Sequence, residues 1–163
     1  MTSIQNKWIL LVEDDPNDAD LTMRALSSNG ARTGLTWTKD GSEALACLHR
    51  QGEFIRRRDD NPALVLLDLK MQKVDGKDLL RNIKADPALK GIPVVVFTSS
   101  NQQADVALCY ELGANAYVVK PLEFHGYAAA LVNIYDFWMR VNEPPIYGAV
   151  NDSSVPARRV MAA

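Results

Sequence analysis

Five short apolar runs, spaced along the chain between helical patterns, constrain the fold more than any other feature of this sequence. Four of the runs are continuous, whereas the second in chain order, Leu35–Thr38, is weaker. Continuous apolar runs of this length are typical of strands in a parallel sheet that is covered on both faces. The four strong runs are Trp8–Val12, Ala63–Leu67, Val94–Phe97 and Ala116–Val119.

A helical pattern follows each run, so the chain alternates strand and helix five times. Pro16 lies near the first helical position of the first pattern, and Asp40 and Asp75 open the second and third. The fourth and fifth patterns cover Asn101–Leu112 and Glu123 to about Val141. This order predicts an α/β fold, a flavodoxin-like doubly wound sheet of five parallel strands in the order 2-1-3-4-5 with five helices.

The composition narrows the classes of protein to consider. A length of 163 residues fits one domain, and a net charge of −2 does not provide the basic face that nucleic acid requires. The sequence contains neither a signal peptide pattern nor an apolar run of about 20 residues, the length that spans a membrane. Cys47 and Cys109 stand apart from any metal-binding motif, so we predict buried, reduced thiols. We therefore expect a cytoplasmic protein that binds neither nucleic acid nor membrane.

Chemically active residues follow four of the predicted strands. Glu13 and Asp14 come after the first, Asp68 after the third, Thr98 after the fourth and Lys120 after the fifth. The carboxyl ends of parallel strands open on one edge of the sheet, so we expect these side chains to converge. A hard cation such as Mg²⁺ offsets the repulsion between clustered carboxylates. The set predicts phosphoryl transfer, with Asp68 as nucleophile, Thr98 as hydrogen-bond donor to the phosphoryl group and Lys120 as its counter-charge.

Taken together, four segments resemble the receiver domains of two-component response regulators. The resemblance covers about residues 6–142 and leaves residues 143–163 as a C-terminal tail, either flexible or a dimer arm. It implies a phosphoacceptor in a relay from a histidine kinase to an aspartate, a signalling protein that assists only its own phosphorylation and dephosphorylation. The segments are Ile9–Pro16, Leu66–Leu69 with Asp75-Gly76, Pro93–Ser99 and Ala116–Pro121.

The resemblance also implies roles for individual residues around the phosphorylated Asp68. Glu13 and Asp14 would form an acidic pocket. Asp14, Asp68 and the backbone carbonyl of Lys70 would hold Mg²⁺. Position 70 also argues against an alternative function, a phosphatase of the haloacid dehalogenase type. Those enzymes resemble one another in a second Asp two residues after the nucleophile, and here that residue is Lys70.

The resemblance implies that a second group of residues contacts the phosphoryl group and changes a protein-interaction surface. Thr98 and Lys120 would contact the phosphoryl group, and the Lys120–Pro121 peptide bond is expected to be cis. Thr98 and Tyr117 would form the switch, changing a face built by the fourth helix, fifth strand and fifth helix. The chain departs from the family at Gln72, where a proline is frequent.

A narrower resemblance concerns Lys84–Val94, Phe137-Trp138 and Glu143–Pro145. These segments look like single-domain response regulators that serve phytochrome-type, including bacteriophytochrome, histidine kinases and tend to dimerise through the C-terminal region. The implied partners are a sensor kinase of that type and a second copy of the chain, with a histidine phosphotransfer protein as a further candidate. Mononucleotide-binding enzymes are excluded because neither GxxxxGK[ST] nor GxGxxG is present. A receiver-like scaffold that is not phosphorylated stays open as the alternative.

Overall fold

The computed structural model describes residues 7–28, 34–57 and 60–145. Its centre is one parallel sheet with the strand order β2-β1-β3-β4-β5. The predicted fold class and strand order are therefore confirmed. The strands are β1 (Trp8–Val12), β2 (Gly34–Thr38), β3 (Leu64–Leu67), β4 (Val94–Thr98) and β5 (Ala116–Val119).

Three of the helices begin where the sequence supplies a capping aspartate or a starting proline. The side chains of Asp40 and Asp75 accept hydrogen bonds from the backbone amides of Glu43 and Lys77, and Pro16 is the first residue of the first helix. The helices are α1 (Pro16–Ser28), α2 (Gly41–Leu48), α3 (Gly76–Ala85), α4 (Gln103–Glu111) and α5 (Phe124–Tyr135), with a 3₁₀ turn at Gly52–Phe54 and a π-helical turn at Asp136–Val141.

The fourth and fifth helices differ from the prediction, one in its start and the other in its winding. The fourth helix begins at Gln103 rather than Asn101, because Ser100 and Asn101 belong to the loop that leaves β4. The fifth helix continues to Val141 as predicted, but its last six residues wind as a π-helix. The apolar pattern thus indicated the extent of the last element but not its change of pitch.

The core lies on both faces of the sheet, because alternate residues of each central strand point to opposite sides. Leu10 and Val12 of β1 pack with the core formed against α2 and α3, and Leu11 packs with the core formed against α1 and α5. Strands β2 and β5 are the edge strands and are only partly buried. The weaker apolar pattern of Leu35–Thr38 fits this exposure, whereas the apolar run of β5 wrongly indicated a strand covered on both faces.

The predicted cis bond at Lys120–Pro121 is wrong, since no peptide bond in the described part of the chain is cis. The trans form of a bond before proline is favoured by about 0.5–1 kcal/mol unless tertiary contacts oppose it. Here the Lys120 side chain is buried with its ammonium in contact with carboxylates while the bond is trans.

The remaining sequence expectations have mixed outcomes. Cys47 and Cys109 are buried and free, as predicted. In the loop after α2, the Arg57 guanidinium lies 4.7 Å from the ring centroid of Trp8 and donates to the carbonyl of Cys47. Residues 146–163 of the predicted tail lie outside the described residues. Within the described ranges, no helix is long and apolar enough to cross a membrane.

Candidate functional site

A buried ammonium group surrounded by carboxylates occupies the carboxyl edge of the sheet. The Nζ atom of Lys120 lies 2.8 Å from Oε2 of Glu13, 3.0 Å from Oδ2 of Asp18 and 3.3 Å from Oδ2 of Asp68. The Lys120, Glu13 and Asp68 side chains are each less than a tenth exposed. The first, third and fifth strands therefore deliver their charged residues to one point.

The sheet fixes these residues because its hydrogen bonding continues one residue beyond each strand. The amide of Glu13 donates to the carbonyl of Thr38, that of Asp68 to Val12, and that of Lys120 to Thr98, at 3.1, 3.1 and 2.7 Å. Each side chain therefore starts from a backbone position set by the register of its neighbouring strand. Such backbone anchoring places charged groups accurately without any bound partner.

Burial changes the protonation of the site. It raises the pKa of Glu13 to about 7, although the hydrogen bond from Lys120 opposes this and the charge of Asp68 adds to it. Burial alone would lower the pKa of Lys120, but the hydrogen bond to Glu13 and the charge of Asp68 raise it above its ordinary value. The ammonium is therefore charged at neutral pH, and it faces more carboxylates than it can neutralise.

Three of the acidic residues offer a geometry that suits a divalent cation. One carboxylate oxygen from each of Glu13, Asp14 and Asp68 lies within 4.8 Å of the others. Hard oxygen donors and surplus negative charge are what Mg²⁺ and similar cations bind. Asp14 is partly exposed and lines a cleft of about 550 Å³. The cleft is lined by Asp14, Asp15, Pro16, Lys39, Asp40, Gln72 and Lys73.

The loop after β3 bends closely around Asp68. The amide of Lys70 donates to Oδ1 of Asp68 at 3.4 Å, and the first residue of α3, Gly76, packs directly on the Asp68–Leu69 backbone. A methyl group at position 76 would lie 2.7 Å from the Cα atom of Leu69 and still closer to the carbonyl oxygen of Asp68. The Asp75-Gly76 motif is thus required for α3 to begin beside the candidate nucleophile.

The hydroxyl groups of Thr98 and Tyr117 meet at one residue of the loop after β4. The amide of Ser100 donates to the Thr98 hydroxyl oxygen at 3.4 Å, and the Tyr117 hydroxyl donates to the Ser100 carbonyl at 2.8 Å. The Ser100 hydroxyl also donates to Asp105, which forms an ion pair with Lys77 of α3. The two predicted switch residues are therefore connected through a polar network that reaches α3 and α4.

Two residues of this site were not identified from the sequence. Asp18 lies in the first turn of α1, where an acidic residue is common because it stabilises a helix start. Its contact with Lys120 depends on how α1 packs. Ser100 was not among the predicted site residues, yet it connects Thr98 to Tyr117. Neither residue carries a spacing signal that would separate it from an ordinary cap or turn residue.

Several known proteins that are similar to this chain are response regulators. The family described as response regulator receiver domain matches residues 9–131. Response regulator Rcp1 of Synechocystis sp. is 39% identical over 133 residues, covering 82% of this chain and 89% of Rcp1. The crystal structure of Mn(2+)-bound Rcp1 has a TM-score of 0.79 at 38% identity and covers 86% of this chain and 99% of that chain.

Two further solved structures are similar to this chain. The phosphorylated cyanobacterial phytochrome response regulator RcpA has a TM-score of 0.81 at 35% identity, covering 86% of this chain and 99% of that chain. The bacteriophytochrome response regulator RtBRR has a TM-score of 0.69 at 47% identity, covering 85% of this chain and 84% of that chain. The resemblance inferred from the sequence is confirmed, and this chain belongs to the family of response regulator receiver domains.

Proposed function

We propose that this chain is the phosphoacceptor of a two-component relay, in which Asp68 receives a phosphoryl group from a phosphohistidine in a Mg²⁺-dependent reaction. The observation that carries the proposal is the position of the Asp68 carboxylate. It lies 3.3 Å from the Lys120 ammonium and within 4.8 Å of the carboxylates of Glu13 and Asp14. Such a group combines a nucleophile with charge stabilisation, which phosphoryl transfer requires.

The transfer itself is a displacement at phosphorus. An oxygen of the Asp68 carboxylate forms the new P–O bond while the P–N bond to the donor imidazole breaks, and the imidazole leaves with the electron pair. The Lys120 ammonium neutralises charge on the phosphoryl oxygens, and the Thr98 hydroxyl donates a hydrogen bond to them. Asp14, Asp68 and the Lys70 carbonyl would hold Mg²⁺ beside the acidic side chain of Glu13, and the ion would supply further neutralisation of these oxygens.

The output is proposed to be a change in a protein-interaction surface. The Thr98 hydroxyl now accepts from the Ser100 amide, and its hydrogen can be donated to a phosphoryl oxygen. Reorientation of Thr98 toward the phosphoryl group would change its geometry with Ser100, whose carbonyl accepts from Tyr117. Rearrangement at Ser100 would therefore be transmitted to the surface built by α4, β5 and α5. That surface carries the exposed apolar side chains of Tyr110, Val119 and Leu122, which is typical of a binding face.

The partners follow from the relatives and from the C-terminal surface. Relatives described as phytochrome and bacteriophytochrome response regulators support a phytochrome-type histidine kinase as donor. The exposed side chains of Phe137 and Val141 support a homodimer formed through the C-terminal region. A histidine phosphotransfer protein is a further candidate for receiving the phosphoryl group.

The site of modification can be mapped directly. Phosphoramidate, a small donor with the P–N bond of phosphohistidine, is incubated with the protein and Mg²⁺, and the product is reduced with borohydride. Reduction of an aspartyl phosphate leaves homoserine, so peptide mass spectrometry should locate homoserine at position 68. Homoserine at Asp14 or Asp75 instead, or at no position, would contradict the proposal.

A further inference from the structure

Asp18 is the partner of Lys120 that does not belong to a strand end. It lies in the first turn of α1, and its Oδ2 atom is 3.0 Å from the Lys120 Nζ atom. Its backbone is held in place by α5, because the Tyr127 hydroxyl contacts the Asp18 carbonyl at 3.5 Å and the Thr22 hydroxyl at 2.9 Å. Only the Asp18 side chain is therefore free to turn away from Lys120.

The hydrogen-bonding capacity of Lys120 is fully used in this arrangement. An ammonium group has three N–H donors and no acceptor. Among the described residues, Glu13, Asp18 and Asp68 each accept from it. A phosphoryl group on Asp68 can take over the N–H that Asp68 now accepts, and any further phosphoryl oxygen that contacts the same ammonium must displace Glu13 or Asp18.

Burial determines which carboxylate is released most easily. The side chain of Glu13 is 3% exposed, so its release would leave a buried carboxylate without its cation. The side chain of Asp18 is 36% exposed, and water can hydrate it once it leaves Lys120. The cost of freeing an N–H for the phosphoryl group is therefore lowest at Asp18.

We propose that Asp18 is a positioning residue that holds Lys120 in the unphosphorylated protein and competes with the phosphoryl group for it. This inference rests on the proposed phosphorylation of Asp68 and adds a residue that sets how tightly the phosphoryl group is bound. Removal of the Asp18 charge should strengthen binding at Asp68. Partly exposed ion pairs contribute about 0.2–1 kcal/mol, so the expected gain in affinity is about threefold.

The test uses beryllofluoride with Mg²⁺ as the phosphoryl mimic and tryptophan fluorescence as the readout. Trp37 is a suitable reporter because its indole N–H donates to the Glu13 carbonyl at 2.8 Å. Asp18→Asn should bind beryllofluoride about threefold more tightly than wild type. Asp20→Asn is the matched control, since Asp20 lies on the same helix and pairs with Arg24 instead, and its affinity should stay at the wild-type value.

A double-mutant cycle separates action through Lys120 from a general effect of charge. In a Lys120→Met background, Asp18→Asn should leave the beryllofluoride affinity unchanged, because the group through which it acts is gone. Thermal unfolding of each variant establishes that it is folded. An Asp18→Asn affinity equal to or weaker than wild type would overturn the inference, as would equal tightening by Asp20→Asn or tightening that persists without Lys120. Failure of wild type to bind beryllofluoride would overturn the proposed function together with this inference.

Discussion

Gly76→Ala tests whether the start of α3 holds the phosphoacceptor loop in place. The added methyl carbon would lie 2.7 Å from the Leu69 Cα atom, where ordinary contacts begin at 3.4 Å, and closer still to the carbonyl oxygen of Asp68. Both neighbours are backbone atoms and cannot be relieved by a change of rotamer. The helix or the Asp68–Leu69 backbone must therefore move by several tenths of an ångström.

The magnitude follows from two opposing effects. Overpacking of this kind costs about 1–3 kcal/mol, and backbone clashes lie at the upper end of that range. Alanine also lowers the conformational entropy of the unfolded chain, which stabilises the folded protein by about 0.4–1 kcal/mol. We expect the free energy of unfolding to fall by about 2 kcal/mol and the Tm by about 4–8 °C for a chain of this size. Because displacement of a reacting group by about 1 Å can cost 10²-fold, phosphoryl uptake should slow by at least about tenfold.

The assay combines urea unfolding, followed by circular dichroism, with the rate of uptake from acetyl phosphate. Gly34→Ala is the matched control, since a methyl group there would meet the Trp8 Cβ atom at 3.4 Å, an ordinary contact. Its stability should remain within about 1 kcal/mol of wild type and its uptake unchanged. If Gly76→Ala matched Gly34→Ala in both stability and rate, the packing argument would be refuted.

Two further predictions concern stability and assembly. Lys84→Met should lower the free energy of unfolding by about 1–3 kcal/mol, because the partly buried carbonyl of Ile92 would lose its donor. The exposed bonds from the same ammonium to the Lys90 carbonyl and to Asn115 Oδ1 would be lost with it. Urea unfolding measures the stability of Lys84→Met, and an unfolding midpoint equal to that of wild type would reject this role for Lys84. Light scattering should give about twice the 18.0 kDa chain mass for wild type. The Phe137 side chain is half exposed, so Phe137→Asp should place a charge in the proposed dimer interface and give the monomer mass. A wild-type monomer at high concentration would reject the dimer.

The parts of the fold that could be predicted depend on burial within the sheet. The strands β1, β3 and β4 are buried on both faces, so each leaves a continuous apolar run. The residue after each run then lies at the carboxyl edge by topology alone, which is why Asp68 was identified as a candidate nucleophile. Both edge strands, β2 and β5, are only partly buried. Strand β2 left a weaker pattern, whereas β5 is apolar throughout, so the continuous run at Ala116–Val119 did not mean burial on both faces.

What could not be predicted depends on tertiary packing of otherwise ordinary residues. Asp18 contacts Lys120 only because α1 packs beside α5, and a helix start favours Asp whether or not such a contact exists. Lys84 belongs to a segment that resembles phytochrome-type regulators. Its role as a donor to backbone carbonyls depends on loops after α3 and α4 that have no periodic pattern. The trans bond before Pro121 corrects a feature carried over from the family resemblance rather than worked out from these residues.

The central claim is that Asp68 accepts a phosphoryl group in a reaction that needs a divalent cation. The most direct measurement is the intact mass of wild type and Asp68→Asn after incubation with acetyl phosphate, with Mg²⁺ and then with EDTA. Wild type should gain about 80 Da, the mass of one phosphoryl group, only in the presence of Mg²⁺, and the variant should gain nothing. An equal gain by Asp68→Asn, an equal gain by wild type in EDTA, or no gain by folded wild type would contradict the account.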